Sequence, residues 1–86
     1  MAKFNKSRLD QVWDKGATVR GKNPNLYRED IWGNEMYYPS YGKDTPKGWS
    51  VDHSKPTSKG GTDHLNNLQP MQSSANKSKG NKYPYK

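Results

Sequence analysis

The sequence contains no cysteine, which excludes disulfide bonds and cysteine-ligated structural zinc as staples for this small chain. It also lacks any apolar run close to the ~20 residues that a membrane-spanning helix needs. The usual core residues are scarce, because Leu, Ile, Val and Phe together number only nine of 86. The start of the chain has no apolar segment typical of a signal peptide. With no cysteine and no such segment, we expect a cytoplasmic protein.

Aromatic residues compensate for the scarce aliphatic ones. The chain has three Trp and six Tyr, and each large ring can bury roughly 150–250 Å². A chain of 86 residues is typical of one domain. We therefore expect a single domain over 1–86 with a small aromatic core, long loops and a flexible tail at 81–86.

Acidic residues are scarce in the C-terminal part of the chain. From His53 onward there are six Lys and one acidic residue, Asp63, whereas residues 1–52 carry nine basic and seven acidic residues. The formal net charge of +7 is therefore concentrated after residue 52. A basic surface of this kind favours a polyanionic partner such as nucleic acid.

The first helix is predicted from a capping pattern and an apolar face. Ser7 and Asp10 have the spacing of a capping box. Three apolar residues fall on one helical face, namely Leu9, Val12 and Trp13. We predict a helix over 8–15 that ends before Gly16 and packs this face on the core.

The segment that follows shows little regular pattern. Residues 17–22 have too few alternating positions to indicate a strand, and we predict irregular structure there. Asn23 and Pro24 are typical of a helix start, with asparagine as the cap and proline in the first turn. They predict a short helical segment over 24–29.

The remaining patterns predict two strands, another extended segment and a last helix. Residues 36–38 and 49–52 have strand-forming composition and are predicted to pair as a hairpin with a long loop. A short extended segment at 69–72 leads into a final helix, which Ser73 or Ser74 can cap and which Gly80 ends. Helices and short strands that do not alternate regularly indicate an α+β fold.

A set of polar residues in this half of the chain has the chemistry of a phosphodiester-cutting site. Asp52 and His53 are adjacent, and Asn76 lies on the last predicted helix. A neutral imidazole can take a proton from water, because the reference pKa of histidine is ~6.5. Carboxylate and amide oxygens are ligands for a hard divalent cation. We expect the strand, loop and helix to bring the three side chains together.

Residues 49–79 as a whole resemble the HNH endonuclease motif, the ββα-metal or His-Me finger. The matching elements keep the motif's spacing and are Val51-Asp52-His53, Pro56, Gly60-Gly61, Asn67-Leu68, Asn76 and Lys79. The third motif position is asparagine, which corresponds to an HNN variant. Similar spacing occurs in the HNH domain of RNA-guided CRISPR nucleases. The upstream part, with Trp13, Asp30-x-x-Gly33 and Gly48-Trp49, also resembles small stand-alone HNH proteins of bacteria and phages. The resemblance implies an α+β fold with a small ββα core and an N-terminal helix.

The resemblance also implies a role for each matching residue. His53 would be the general base on the attacking water, and Asn67 would brace the loop that positions it. Asp52 and Asn76 would hold a divalent metal, with Mg²⁺ expected and Mn²⁺, Ni²⁺ or Zn²⁺ as alternatives. Lys79 would contact substrate phosphate nearest the cut. From the basic charge of this part of the chain we expect Lys77, Lys82 and Lys86 farther along the substrate, and Lys55 and Lys59 are further candidates for phosphate contacts.

The activity implied by the resemblance is metal-dependent hydrolysis of DNA by a bacterial or phage-encoded protein. Two alternatives stay open: a non-catalytic basic module that binds nucleic acid, and a nuclease subunit active only in a larger phage or restriction complex. The first alternative gives no reason for the spacing of Asp52, His53 and Asn76. The chain lacks the CxxC zinc pairs that brace the fold of many family members. It also has no recognisable element suited to reading bases, such as a helix-turn-helix or a zinc finger. We therefore expect sequence selectivity to be weak or to be supplied by a partner.

Overall fold

The computed structural model describes residues 4–80, which form two small antiparallel sheets and two helices. In chain order the elements are α1 (Lys6–Trp13), β1 (Ala17–Thr18), β2 (Tyr27–Glu29), β3 (Glu35–Tyr37), β4 (Trp49–His53), β5 (Leu68–Gln72) and α2 (Ser73–Lys79). Short 3-10 turns lie at Tyr38–Ser40, Thr57–Lys59 and Leu65–Asn67. The predicted α+β class and the ββα unit, here β4, β5 and α2, are confirmed. The predicted tail at 81–86, with Lys82 and Lys86, lies outside the described residues.

Helix α1 buries the predicted face but has a different cap. Val12 and Trp13 are both buried, as predicted. The predicted capping box of Ser7 and Asp10 is wrong, because the helix already begins at Lys6. Asn5 is the N-cap, and its side-chain oxygen accepts a hydrogen bond of 2.8 Å from the Arg8 amide. Asparagine caps the free amides of a first helical turn as well as serine does. Because Asn5 precedes Ser7, it determines where α1 begins.

The region around 17–29 forms strands where irregular structure and a helix were predicted. β1 pairs with β2, and β2 pairs with β3. The Asn23-Pro24 pair starts a turn instead of a helix, since the Asn23 side chain accepts a hydrogen bond from the Asn25 amide at 2.9 Å. Strands of two or three residues are too short to show alternation, and only pairing with their neighbours stabilises them. Both predictions for this region are therefore wrong.

The predicted hairpin between 36–38 and 49–52 is also wrong. β3 pairs with β2, and β4 pairs with β5 over five positions, from Trp49 opposite Gln72 to His53 opposite Leu68. The chain leaves β3 at Tyr38, where the next residue is a proline in a 3-10 turn. Strand partners depend on packing across the whole fold, which local alternation does not encode.

Aromatic rings form the core around Trp49, as the composition predicted. Trp49 is buried together with Trp13 and Met36. The ring centroids of Trp13 and Trp49 are 4.9 Å apart, and the Tyr41 ring lies 5.0 Å from that of Trp49. The Trp49 indole N–H donates to the Tyr38 carbonyl at 3.0 Å, so the ring is buried with its only donor satisfied. This packing fixes the start of β4.

Asp30 connects the three-stranded sheet to β5. Its side chain is buried, and one carboxylate oxygen accepts hydrogen bonds from the Trp32 and Asn34 amides of the adjoining turn. The other oxygen accepts a bond of 3.1 Å from the Gln72 amide at the end of β5. Because buried carboxylates need such partners, Asp30 holds the turn and the strand end in one arrangement. The N-terminal sheet thereby fixes the position from which α2 begins.

Helix α2 is the predicted last helix, with Gln72 as its cap. The Gln72 side-chain oxygen accepts a hydrogen bond of 3.0 Å from the Ala75 amide. The predicted caps Ser73 and Ser74 are wrong, because β5 runs directly into the helix and its last residue occupies the cap position. Gly80 ends the helix, as predicted. None of the helices among residues 4–80 is both long enough and apolar enough to cross a membrane.

Candidate active site

The loop between β4 and β5 is closed by one asparagine and two glycines. The Asn67 side chain accepts a hydrogen bond from the Lys55 amide at 2.8 Å and donates to the Lys55 and Thr62 carbonyls at 3.1 and 2.8 Å. Gly60 has a φ of 89°, which favours glycine, and a Cβ on Gly61 would lie 1.7 Å from the Lys55 oxygen. The Gly-Gly pair is therefore required for the loop to close, and Asn67 ties its two arms together.

His53 ends β4 at the rim of an open groove. Its side chain is 16% exposed, and its Nε2 atom lies 2.7 Å from Oδ1 of Asp63. Phe4 and Tyr41 contribute to the same groove, and the Phe4 ring centroid is 6.4 Å from that of the imidazole. Burial raises the pKa of the Tyr41 hydroxyl above its ordinary value. The groove offers water and substrate direct access to the imidazole.

Asp52 and His53 are neighbours on β4, so their side chains lie on opposite faces of the strand. The side chain of Asp52 points into the protein and is only 4% exposed. The carboxylate accepts a hydrogen bond of 2.9 Å from Gln69, its cross-strand partner, and lies 3.2 Å from the Lys79 ammonium. The negative charge of Asp52 is therefore paired inside the protein.

Lys79 is buried beneath the Asp52-His53 pair. Its side chain is 3% exposed, and its ammonium donates a hydrogen bond of 3.0 Å to the His53 carbonyl in addition to the Asp52 contact. One lysine thus holds the backbone of His53 and the charge of Asp52 at the same time. The predicted contact between Lys79 and substrate phosphate stays a prediction, and the structure adds this internal role.

Asn76 projects from the first half of α2 towards β4. Its amide nitrogen donates to the Ser50 hydroxyl at 2.5 Å. Ser50 precedes Asp52 by two residues on the strand and therefore shares its face. With the amide nitrogen directed at Ser50, the amide oxygen is the atom of Asn76 that can bind a cation.

A small groove brings the three central residues of the predicted site together. Its walls include Asp52, His53 and Asn76, and it has a volume of about 240 Å³. No group of three His, Cys, Asp or Glu residues that could hold a metal occurs within residues 4–80. A carboxylate and an amide oxygen nevertheless fit a hard cation such as Mg²⁺, which keeps several waters and binds few protein ligands.

The other predicted phosphate contacts lie on the surface. Lys55 and Lys59 are exposed on the loop after β4, and Lys77 is exposed on α2. The Lys77 ammonium is 2.6 Å from a carboxylate oxygen of Asp44, and both side chains are about two-thirds exposed. His64 is exposed. All three lysines can reach a ligand from solvent.

Three residues of the site were missed by sequence reasoning: Ser50, Asp63 and Gln69. Alternation along β4 could have indicated Ser50, since it places this residue on the same face as Asp52. Gln69 meets Asp52 only through the register of β4 and β5. Asp63 contacts His53 only because of the loop conformation, and no local pattern indicates it.

A comparison with protein-family models gives a match to one described as HNH endonuclease, over residues 44–85. This range contains β4, the glycine loop, β5 and α2. All of the predicted site residues except Lys86 fall within it. Comparison with curated proteins and with solved structures gives no significant match.

Proposed function

We propose that this protein hydrolyses phosphodiester bonds of DNA with a divalent metal ion, and the match of residues 44–85 to a family model described as HNH endonuclease supports this proposal. The observation that supports the proposal is the small groove whose walls include Asp52, His53 and Asn76. A nuclease needs a base for water and positive charge for the phosphate, and in this groove His53 would supply the base while Asp52 and Asn76 would supply two oxygen ligands for a cation.

His53 would act as the general base. Its imidazole would take a proton from a water molecule, whose oxygen then attacks phosphorus in line with the leaving oxygen. The bond from phosphorus to the 3′-oxygen would break, which gives 5′-phosphate and 3′-hydroxyl ends. Asn67 supports this role indirectly, because it fixes the loop that begins one residue after His53.

Asp52 and Asn76 would hold the metal ion. When bound, such an ion supplies positive charge to the phosphate and to the leaving oxygen. Oxygen ligands favour Mg²⁺, and a neighbouring imidazole also makes Mn²⁺, Ni²⁺ or Zn²⁺ acceptable. The contact with Lys79 already places one positive charge beside Asp52, so this lysine would orient the carboxylate before the metal binds.

The exposed lysines Lys55, Lys59 and Lys77 would bind the DNA backbone. Phosphate contacts of this kind hold the duplex without reading its sequence. The described residues include no helix or ribbon placed to enter the major groove, since α2 packs on β4 and β5. We therefore propose a nuclease with little sequence preference of its own.

The proposed activity predicts nicking or linearisation of supercoiled plasmid that depends on added divalent metal. Excess EDTA is expected to abolish cleavage, and a subsequent excess of Mg²⁺ or Mn²⁺ should restore it. The measurement is the loss of the supercoiled band over time. Retained DNA binding without cleavage under any metal would instead favour a binding module, or a subunit that acts only in a larger complex.

The two proposed metal ligands should differ in their contributions to metal affinity. Asp52→Asn is expected to weaken Mn²⁺ binding more than Asn76→Ala, because it removes a full negative charge while keeping the side-chain shape. Isothermal titration calorimetry measures the Mn²⁺ affinity of both variants. Asp14→Ala is the control, because it removes an exposed carboxylate outside the groove. Equal Mn²⁺ affinity in the wild type and Asp52→Asn would contradict the assignment of Asp52.

A further inference from the structure

A carboxylate outside the resembling motif contacts the proposed base. Oδ1 of Asp63 lies 2.7 Å from Nε2 of His53, and Asp63 follows His53 by ten residues across the glycine loop. An ionised carboxylate can only accept a hydrogen bond, so this contact requires a proton on Nε2 of the neutral imidazole. The lone pair of that ring is then on Nδ1.

We propose that Asp63 is a positioning residue that fixes the orientation and tautomer of His53, so that Nδ1 is the atom that takes the proton from water. This inference rests on the proposed nuclease function. The Asp63 side chain is 69% exposed, and an exposed ion pair contributes little to stability. We therefore expect the contact to affect the orientation of the imidazole and not the stability of the protein.

The backbone on both sides of Asp63 is fixed. Arg8 of α1 donates a hydrogen bond of 3.1 Å to the Asp63 carbonyl, and Lys15 of the same region donates to the Leu65 carbonyl at 2.9 Å. The Asn67 side chain holds the Thr62 carbonyl from the other direction. A carboxylate on a segment held in this way keeps a constant position, which a residue that orients a catalytic base must do.

This arrangement gives the N-terminal helix a part in the site. Arg8 and Lys15 both lie outside the residues 44–85 that match the family model. Their hydrogen bonds end on the short segment that carries Asp63. The helix would therefore support catalysis through the position of Asp63, and without contact with the substrate.

Steady-state kinetics on a defined DNA substrate test the role of Asp63. Asp63→Ala is expected to lower kcat by about 10–100-fold, which is typical for loss of a residue that orients a catalytic ligand. KM should stay within about twofold, because loss of orientation affects the chemical step and not substrate binding. Asp63→Glu, which keeps a carboxylate, should recover most of the activity.

Asp14→Ala is the matched control for these kinetics. The Asp14 side chain is also 69% exposed and also forms an ion pair, at 3.7 Å from Arg28. It lies outside the proposed site, so kcat and KM should equal those of the wild type. Far-UV circular dichroism confirms that each variant is folded.

A second readout does not depend on activity. Nitrogen-15 NMR at about pH 9, where imidazoles are neutral, reports the tautomer of each ring. The chain has two histidines, and the exposed His64 provides an internal reference. In the wild type, His53 should hold its proton on Nε2 to a greater extent than His64. In Asp63→Ala the tautomer ratio of His53 should move to that of His64.

The outcomes separate this inference from the proposed function. Wild-type kcat in Asp63→Ala, or an unchanged tautomer ratio at His53, would overturn the positioning role. A higher kcat in Asp63→Ala would also overturn it, because Asp63 would then shield the base. A wild-type protein that does not cleave DNA with any divalent metal would refute the proposed function, and NMR would still decide whether Asp63 sets the tautomer.

Discussion

Replacement of His53 by alanine is expected to lower the cleavage rate by about 10²–10⁴-fold, which is the usual contribution of a general base. DNA affinity should be nearly unchanged, because binding would rest on the exposed lysines and not on the imidazole. Rates are compared under single-turnover conditions with saturating protein and Mg²⁺. His64→Ala is the control, since it removes the other imidazole from an exposed position outside the groove.

The same variant allows binding to be measured without cleavage. Each phosphate contact releases counterions, so affinity should fall with salt at a log–log slope of about −0.9 per contact on duplex DNA. Contacts from the exposed Lys55, Lys59 and Lys77 predict a slope of roughly −3 on this relation.

Cleavage by His53→Ala within about tenfold of the wild type would contradict the assignment of the base, since a general base contributes more. A flat salt dependence would contradict the assignment of the lysines.

Replacement of Lys79 by methionine is expected to reduce the free energy of unfolding by about 3–5 kcal/mol, as for other buried pairs that lose one partner. The Asp52 carboxylate would be left in the protein interior without its cation, and the His53 carbonyl would lose a donor. The apolar stem of the side chain is preserved in methionine, so lost packing contributes little. Urea unfolding followed by tryptophan fluorescence measures the change, because two of the three tryptophans are in the core.

Lys77→Met provides the control on the same helix. Lys77 also pairs with an aspartate, Asp44, but both side chains are exposed, and such pairs contribute about 0–1 kcal/mol. The double variant Lys79→Met/Asp52→Asn should recover part of the stability, because it removes the unpaired charge as well. Similar losses of unfolding free energy in Lys79→Met and Lys77→Met would show that breaking the buried pair is not the cause of the destabilisation.

If Asp52 is a metal ligand, Mn²⁺ should partly restore the stability of Lys79→Met. A cation that binds the folded protein and not the unfolded chain stabilises it, and the gain rises with the logarithm of the cation concentration above Kd. The lysine and the metal would then act on the same carboxylate from different sides. No gain in stability with Mn²⁺, in this variant and in the wild type alike, would argue against the site.

Much of the site could be predicted from the sequence, because its parts are set by short-range rules. The glycine pair is needed for a loop whose backbone approaches Lys55 too closely for any side chain. Alternation along β4 separates Asp52 from His53, and the helical spacing of α2 places Asn76 and Lys79 on neighbouring turns. Local patterns failed at Ser7, because Asn5 competes with it as the cap of α1. They also failed at 24–29, because pairing with β3 makes part of this segment a strand.

The sequence by itself determined the aromatic core, the buried face of α1, the strand at Trp49–His53 and the helix that ends at Gly80, because composition, periodicity and glycine chemistry act within a few residues. Only the tertiary structure decided which groups meet across the fold. It placed Lys79 beneath Asp52, Gln69 opposite Asp52 and Asp63 beside His53. These contacts depend on strand register and on the packing of distant segments, and the free energy that selects them is spread over the whole core.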